Sequence, residues 1–103
     1  MMAWIVTTYK TPRDVAAFDV GYFEQHVPMV RKIRGIRHYA VSRGPVVTPA
    51  GPSDIHLVTM LQFDDLAAIR RAFASPEGQA ASAHVKTFAT GGAEMLFFES
   101  REI

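Results

Sequence analysis

Two side chains in this 103-residue chain combine a type and a placement that could do chemistry, His26 and Tyr39. A histidine titrates near neutrality, so it can take up and return a proton at pH 7. A tyrosine hydroxyl can donate a hydrogen bond to a carbonyl oxygen, or to an oxyanion developing there. Together they could move a proton on a small molecule and steady its oxygen. Each residue also has a plainer reading. His26 could be a core histidine bonded to a backbone carbonyl, and Tyr39 a strand tyrosine filling core with its hydroxyl at the edge.

The elements that must place them are written in the stretch from Phe18 to Tyr39, FDVGYFEQHVPMVRKIRGIRHY. From Asp14 onward the apolar residues Val15, Phe18, Tyr22, Phe23, Val27, Val30 and Ile33 recur at steps of three and four, the period of an amphipathic helix. His26 falls four after Tyr22 and three after Phe23, on or beside the buried stripe. Thr11 and Pro12 read as the cap and first turn of this helix. Pro28 removes one backbone donor, which predicts a kink beside His26 and a freed Glu24 carbonyl. Arg31, Lys32 and Arg34 suit the negative end of the helix, and Gly35 suits the left-handed turn that ends it. Tyr39 follows in a strand expected over Ile36–Arg43.

The remaining chain supplies a sheet and further helices. Ala3–Lys10 reads as a β-branched and aromatic strand, and Ile55–Phe63 as a strand apolar on both faces. Gly44–Asp54 holds three prolines and two glycines and reads as a mobile loop that could serve as a lid. Asp64 or Asp65 can cap a helix that buries Leu66, Ile69, Ala72 and Phe73. Ser75-Pro76-Glu77 starts an Ala-rich helix reaching about Phe88. Glu94–Glu99 closes the chain as a strand. The order is β-α-β-β-α-β with an extra short helix before the last strand, which gives a ferredoxin-like α+β fold with a four-stranded antiparallel sheet. No linker divides residues 1–103, which read as a single domain.

With helices on one face, the other face of such a sheet should be polar. Instead it carries Trp4, Val6, Val58, Met60, Leu96 and Phe98. An apolar patch of that size rarely stays exposed, so the expectation is a homodimer joined through the sheet faces. On the helix-facing side, Ile5, Tyr9, Leu57, Thr59, Met95 and Phe97 would alternate with Tyr39. With Tyr22, Phe23 and Val27 from the first helix they would line a mostly apolar pocket for a small apolar or aromatic ligand. Phe18, Phe73, Phe88, Phe97 and Phe98 also suit ordinary core. His38 and His56 fall on the dimer side of the alternation, and His84 on a solvated helix face.

Composition narrows the function classes. Hydrophobic residues make up 49% and charged residues 20%, so the chain should fold. Eleven basic residues are scattered among ten acids, with no basic stripe to suggest nucleic acid. Without cysteine there is no disulfide framework, thiolate metal site or thiol nucleophile. Histidines lack paired spacing, so no metal is expected. No apolar run reaches the roughly 18 residues of a membrane span. MMAWIVTTYK is not a signal peptide, which makes a cytoplasmic location the default. No nucleotide, flavin or phosphate-loop motif is present, and the expectation is cofactor-free chemistry.

The stretches Tyr9-Lys10, FEQHVPMVRKIRGI (Phe23 to Ile36), Tyr39, HLVTMLQF (His56 to Phe63), SPEG (Ser75 to Gly78) and FATGGAEMLFFE resemble the EthD family, one of the dimeric α+β barrel families. The resemblance spans nearly the whole chain. It implies a ferredoxin-like subunit, a sheet-to-sheet homodimer and a pocket between sheet and helices. The family is named for an association with ether-degrading oxidation systems. More distantly, His26 and Tyr39 resemble the helix histidine and strand tyrosine of the methylmuconolactone methylisomerases, although those lack the proline two residues on. The plant polyketide cyclases resemble the fold alone, since Ala72 and Gly78 stand where their acid–base pair is found. Two functions follow as expectations. The first is a cofactor-free isomerase or cyclase with His26 as proton shuttle and Tyr39 as hydrogen-bond donor, with a cofactor-independent monooxygenase as a variant. The second is a non-catalytic accessory or binding protein of an oxidation system.

Overall fold

In the computed structural model, which describes residues 2–103, β1 (Ala3–Lys10) leads into α1 (Val15–Asp19), a π-helical stretch (Val20–His26) and α2 (Val27–Arg31). β2 (His38–Val41), the short strands β3 (Val47–Thr48) and β4 (Gly51–Pro52), and β5 (Ile55–Phe63) follow. Then come α3 (Leu66–Ala74), α4 (Pro76–His84), a 3-10 turn (Val85–Thr87) and β6 (Ala93–Glu99). β2, β5, β1 and β6 form one antiparallel sheet in that order, the ferredoxin-like arrangement. β3 and β4 pair with each other as a hairpin, so the segment read as a plain loop is partly ordered structure.

Strict alternation along β1 separates the two faces of the sheet. Ala3, Ile5, Thr7 and Tyr9 are buried under the helices. Ile5 lies opposite Leu61 and Phe97, and Thr7 opposite Thr59 and Met95. One core cluster joins Ile5 and Phe63 to Ala68, Ile69 and Ala72 of α3. A second joins Tyr9 and Leu57 to Phe18, Tyr22 and Phe88. On the opposite face Trp4 lies across from Phe98, and Val6 from Leu96 and Met60. Met60, Leu96 and Phe98 are exposed there, and Phe97 is exposed on the helix side of edge strand β6. Phe97 and Phe98 are therefore not core within the protomer, because α3 reaches β6 only through Phe73 on Phe97 and leaves both side chains exposed.

The first helix departs from the sequence expectation in two ways. Its cap is Asp14, which accepts a hydrogen bond from the Ala17 backbone N–H. Thr11 is engaged elsewhere, with both its amide and its hydroxyl donating to the Asp54 carbonyl. The disturbance expected as a kink at Pro28 is a π-helical stretch ahead of it, whose last bond runs from the Val27 N–H five residues back to the Tyr22 carbonyl. Pro28 then sits in the first turn of α2, where a missing donor costs little. Beside Gly21, the buried residues on this helix are Phe18, Tyr22, His26 and Val30, four apart. In a regular α-helix that line drifts about 40° per step. The wider π turn takes up the drift and keeps all four on the sheet. The same register turns Phe23 outward, where it is 44% exposed, and Val15 with it.

His56 also departs from expectation. The β1–β5 register shifts between Tyr9, which faces Leu57, and Lys10, which faces Ile55. His56 is the extra residue of this β-bulge and swings toward α1 and away from the open face. Its Nε2 lies 2.9 Å from Asp19 Oδ1, and its ring meets Phe18 edge-on at 4.9 Å.

Candidate active site

Between sheet and helices lies a cavity of about 60 Å³. The room comes from small residues. Ala72, Gly78 and Ala81 form its roof, while Thr7 and Thr59 form part of its floor. Gly78 is required, since a Cβ there would stand 1.8 Å from the Ala72 carbonyl oxygen. Its absence lets α4 tuck against the end of α3. Ser75 fixes the junction by accepting from the Gly78 N–H.

His26 and Tyr39 both line this cavity, as do Ile5, Tyr9, Tyr22, Thr59 and Met95. Four other expected lining residues do not. Leu57 and Val27 pack into the second core cluster, where aromatic rings already fill the space. Phe97 rests on Phe73 outside the cavity, with ring centroids 5.1 Å apart. Phe23 faces a shallow cleft with Asp19 and His56. Alternation along β5 carries the lining on to Leu61 and Phe63, and the stripe of four carries it to Val30. The contribution of α4 carried no chemical signal in the sequence.

Tyr9, Tyr22, Tyr39 and His26 supply ionisable groups of the lining, and His84 stands behind His26. Tyr22 and Tyr39 share a hydrogen bond of 2.6 Å between hydroxyl oxygens. Burial raises both above the ordinary tyrosine range, but the shared bond acts in opposite senses, holding Tyr22 up and Tyr39 down. Either hydroxyl can be the donor; with Tyr22 donating, the Tyr39 proton is left for a ligand. Burial, joined by the neighbouring Tyr39, likewise lifts Tyr9 far above its usual value.

His26 is 5% exposed, with its Nδ1 3.2 Å from Nδ1 of His84. The two rings are nearly parallel, and Phe88 packs 5.0 Å from the His26 ring. Burial, and secondarily His84, bring its pKa down to about 4. The ring is therefore neutral at pH 7. His84 is half-buried between His26 and Gln25 and is not the solvated residue expected. It is brought there because α4 packs across the first helix, a contact 58 residues apart in sequence. No Lys, Arg, Asp or Glu lines the cavity, so at pH 7 it carries no formal charge. Among the described residues no three His, Asp or Glu side chains converge as a metal site would require.

Comparison with known proteins places these features in a group. The profile of the EthD domain matches residues 10–92. An uncharacterized 11.0 kDa protein from the thcB–thcC intergenic region of Rhodococcus erythropolis is 36% identical over 99 residues, covering 96% of this chain and 95% of its own. The crystal structure of an EthD family protein from Bacillus halodurans superposes with a TM-score of 0.89 at 32% identity, over 98% of this chain and all of that one. A variant of SnoaB, a cofactor-independent oxygenase from Streptomyces nogalater, superposes with a TM-score of 0.70 at 18% identity, over 99% and 95% of the two chains. That likeness speaks for the fold alone. No helix among the described residues is long and apolar enough to cross a membrane.

Proposed function

The chain belongs to the EthD family, and on that premise we propose that it is a cofactor-free enzyme that moves a proton on a small, neutral, mostly apolar molecule bearing a carbonyl or enolic oxygen. One observation carries this reading: an uncharged cavity in which a neutral buried imidazole and a supported phenol both front the same space. The cavity volume is well below the roughly 300 Å³ at which drug-sized pockets begin, which suits a small ring, lactone or ketone. The lining holds no cationic side chain, and Arg31 acts on Tyr39 only from outside it, which favours a neutral ligand over a carboxylate.

In this reading Tyr39 donates to the ligand oxygen, and Tyr22 donates to Tyr39, so negative charge developing on the oxygen is spread over two phenols. His26 removes a proton from the carbon next to the carbonyl and returns it to another atom of the resulting enol system. Bond order changes within the ligand and no oxidant is consumed, which makes the reaction an isomerisation or a cyclisation. We also propose that the exposed face of Trp4, Val6, Val58, Met60, Leu96 and Phe98 joins two copies, because its apolar area resembles an interface more than a free surface.

Solvent exchange tests the chemistry without knowledge of the product. Small lactones, cyclic ketones and phenols that raise the melting temperature would be incubated with the protein in D₂O and followed by NMR. The expected result is deuterium uptake at the α-carbon, slowed about 10²-fold or more in His26→Ala and in Tyr39→Phe. Binding without exchange in every case would leave a ligand-binding protein, the non-catalytic alternative.

A further inference from the structure

A buried base creates a difficulty that the neighbouring residues resolve. When His26 takes a proton at Nε2 it becomes an imidazolium in an uncharged, apolar cavity, where charge is strongly disfavoured. The groups packed around it are Tyr22, Phe88 and His84, and His84 is the one ionisable neighbour that perturbs it. His84 is half-buried and touches the surface residue Gln25 through its other nitrogen, at 3.3 Å. The three side chains thus form one line from cavity to solvent, Nε2 of His26 at one end and Gln25 at the other.

The orientation of the Gln25 amide, with Oε1 and not the NH₂ group toward His84, sets the direction of this line. Gln25 Oε1 can only accept, so His84 Nε2 must carry a hydrogen. Neutral His84 then presents a lone pair at Nδ1, and the facing Nδ1 of His26 must carry the hydrogen that fills the 3.2 Å contact. That leaves the lone pair of His26 on Nε2. No protein partner is found for Nε2 among the described residues, yet no fully buried side-chain nitrogen or oxygen lacks one. Nε2 is therefore not fully buried, and the space that His26 lines is the cavity.

We propose that His84 is the positioning residue and proton outlet of His26, holding it in the Nδ1–H form so that Nε2 faces the ligand as a base, and accepting the Nδ1 proton when Nε2 is protonated. This rests on the proton-transfer reading above. The balance is simple. The carbon-bound proton of the ligand goes to His26 Nε2, and the Nδ1 proton of His26 goes to His84 Nδ1. Positive charge then sits on the half-exposed His84. His26 is left neutral with a hydrogen on Nε2, the form that can hand a proton back to the ligand. A base for the first half of the reaction thereby becomes an acid for the second.

Long-range ¹⁵N–¹H NMR of the histidine rings in the whole protein reads the tautomer directly and needs no substrate. The expected wild-type result is His26 with Nδ1 protonated and Nε2 bare. In His84→Ala the Nδ1–H signature should be lost in favour of the Nε2–H form. In His84→Gln, whose carbonyl can still accept, it should persist, while the Nδ1 proton exchanges with water more slowly and the α-carbon deuterium exchange falls. His26 protonated on Nε2 in the wild type would overturn the proposal, as would a tautomer unmoved in His84→Ala. Unchanged proton lifetime and exchange rate in a folded His84→Gln would overturn the outlet. If the tautomers behave as stated and no carbonyl compound exchanges deuterium, the histidine pair stands and the reading of the cavity as an active site falls.

Discussion

The two faces of the sheet are equally apolar in sequence and meet different fates. On β1, Ile5 and Tyr9 of one face are sealed under helices, while Trp4 and Val6 of the other stay partly accessible. On β5, Leu57 and Phe63 are buried and Met60 is exposed. The covered face also carries the strand hydroxyls of the cavity, Thr7, Tyr9, Tyr39 and Thr59, whereas the strand residues at the centre of the open face are almost wholly hydrophobic. A face that must pack once, and for good, inside its own chain can be interrupted by hydroxyls around a ligand space. If the open face packs on another copy, it has no such use for them.

The largest test of this contrast is a truncation on the covered side. Ile69 is 1% exposed and sits in the first core cluster away from the cavity. Ile69→Ala should cost about 2–5 kcal/mol, the range for a large aliphatic residue cut to alanine in a packed core. Urea unfolding of the wild type and the variant measures it. A loss below about 1 kcal/mol would mean that the helices cover the sheet loosely.

The next effect in size comes from pH. His26 has a folded pKa of about 4 against an ordinary value of 6.5. The unfolded chain therefore binds the proton more readily, and stability is complete above pH 6.5 and falls as the pH drops toward 4. The 2.5-unit difference corresponds to about 3 kcal/mol. Unfolding measured at pH 7 and at pH 4 should show this loss, and it should shrink in His26→Asn. An equal loss in the variant would assign the acid sensitivity to other groups.

Much of this architecture was legible before the fold. The limits of β1 and β5, a helix cap at Asp64 or Asp65, the Ser75 cap and the separation of the two faces all follow from alternation and cap chemistry, because strand period and helix starts are local properties. His26 and Tyr39 stood out for the same reason. What could not be read is non-local or compensatory. Steps of three and four fit an α-helix, and only the observed line of Phe18, Tyr22, His26 and Val30 shows that a π turn was needed, which is why Phe23 was misplaced. The bulge at His56 has no glycine or proline to announce it. His84 looked like a surface histidine because its partner is 58 positions away.

The open face makes the contrast sharper. Leu96 is 56% exposed in the protomer. If two copies pack here, each Leu96→Lys substitution removes an apolar burial worth about 1.5–3 kcal/mol and inserts a charge. Light scattering coupled to gel filtration should show a dimer for the wild type and a monomer for the variant, with circular dichroism unchanged. A wild type that is monomeric at all concentrations would leave the open face to a different partner.

The smallest effect is expected where the two faces exchange a residue. Alternation assigns His56 to the open face, and the bulge hands it to the covered one, where it meets Asp19 and the edge of Phe18. Two causes could hold it there. Either the Asp19 carboxylate pulls the ring across, or the backbone shift between Tyr9 and Lys10 sets its direction and the contact follows. The second is favoured, because Asp19 is half exposed and such surface pairs contribute only about 0.2–1 kcal/mol, at the low end here after solvent screening. A bulge costs two strands their regular pairing and is not maintained by so little. Asp19→Asn should therefore lower stability by a few tenths of a kcal/mol. It should also leave the His56 ring against Phe18, seen as unchanged contacts between the two rings in NMR. If the ring instead swings to the open face, the carboxylate is what sets the bulge, and the division between the faces is less firmly built into the backbone than the register of β1 and β5 implies.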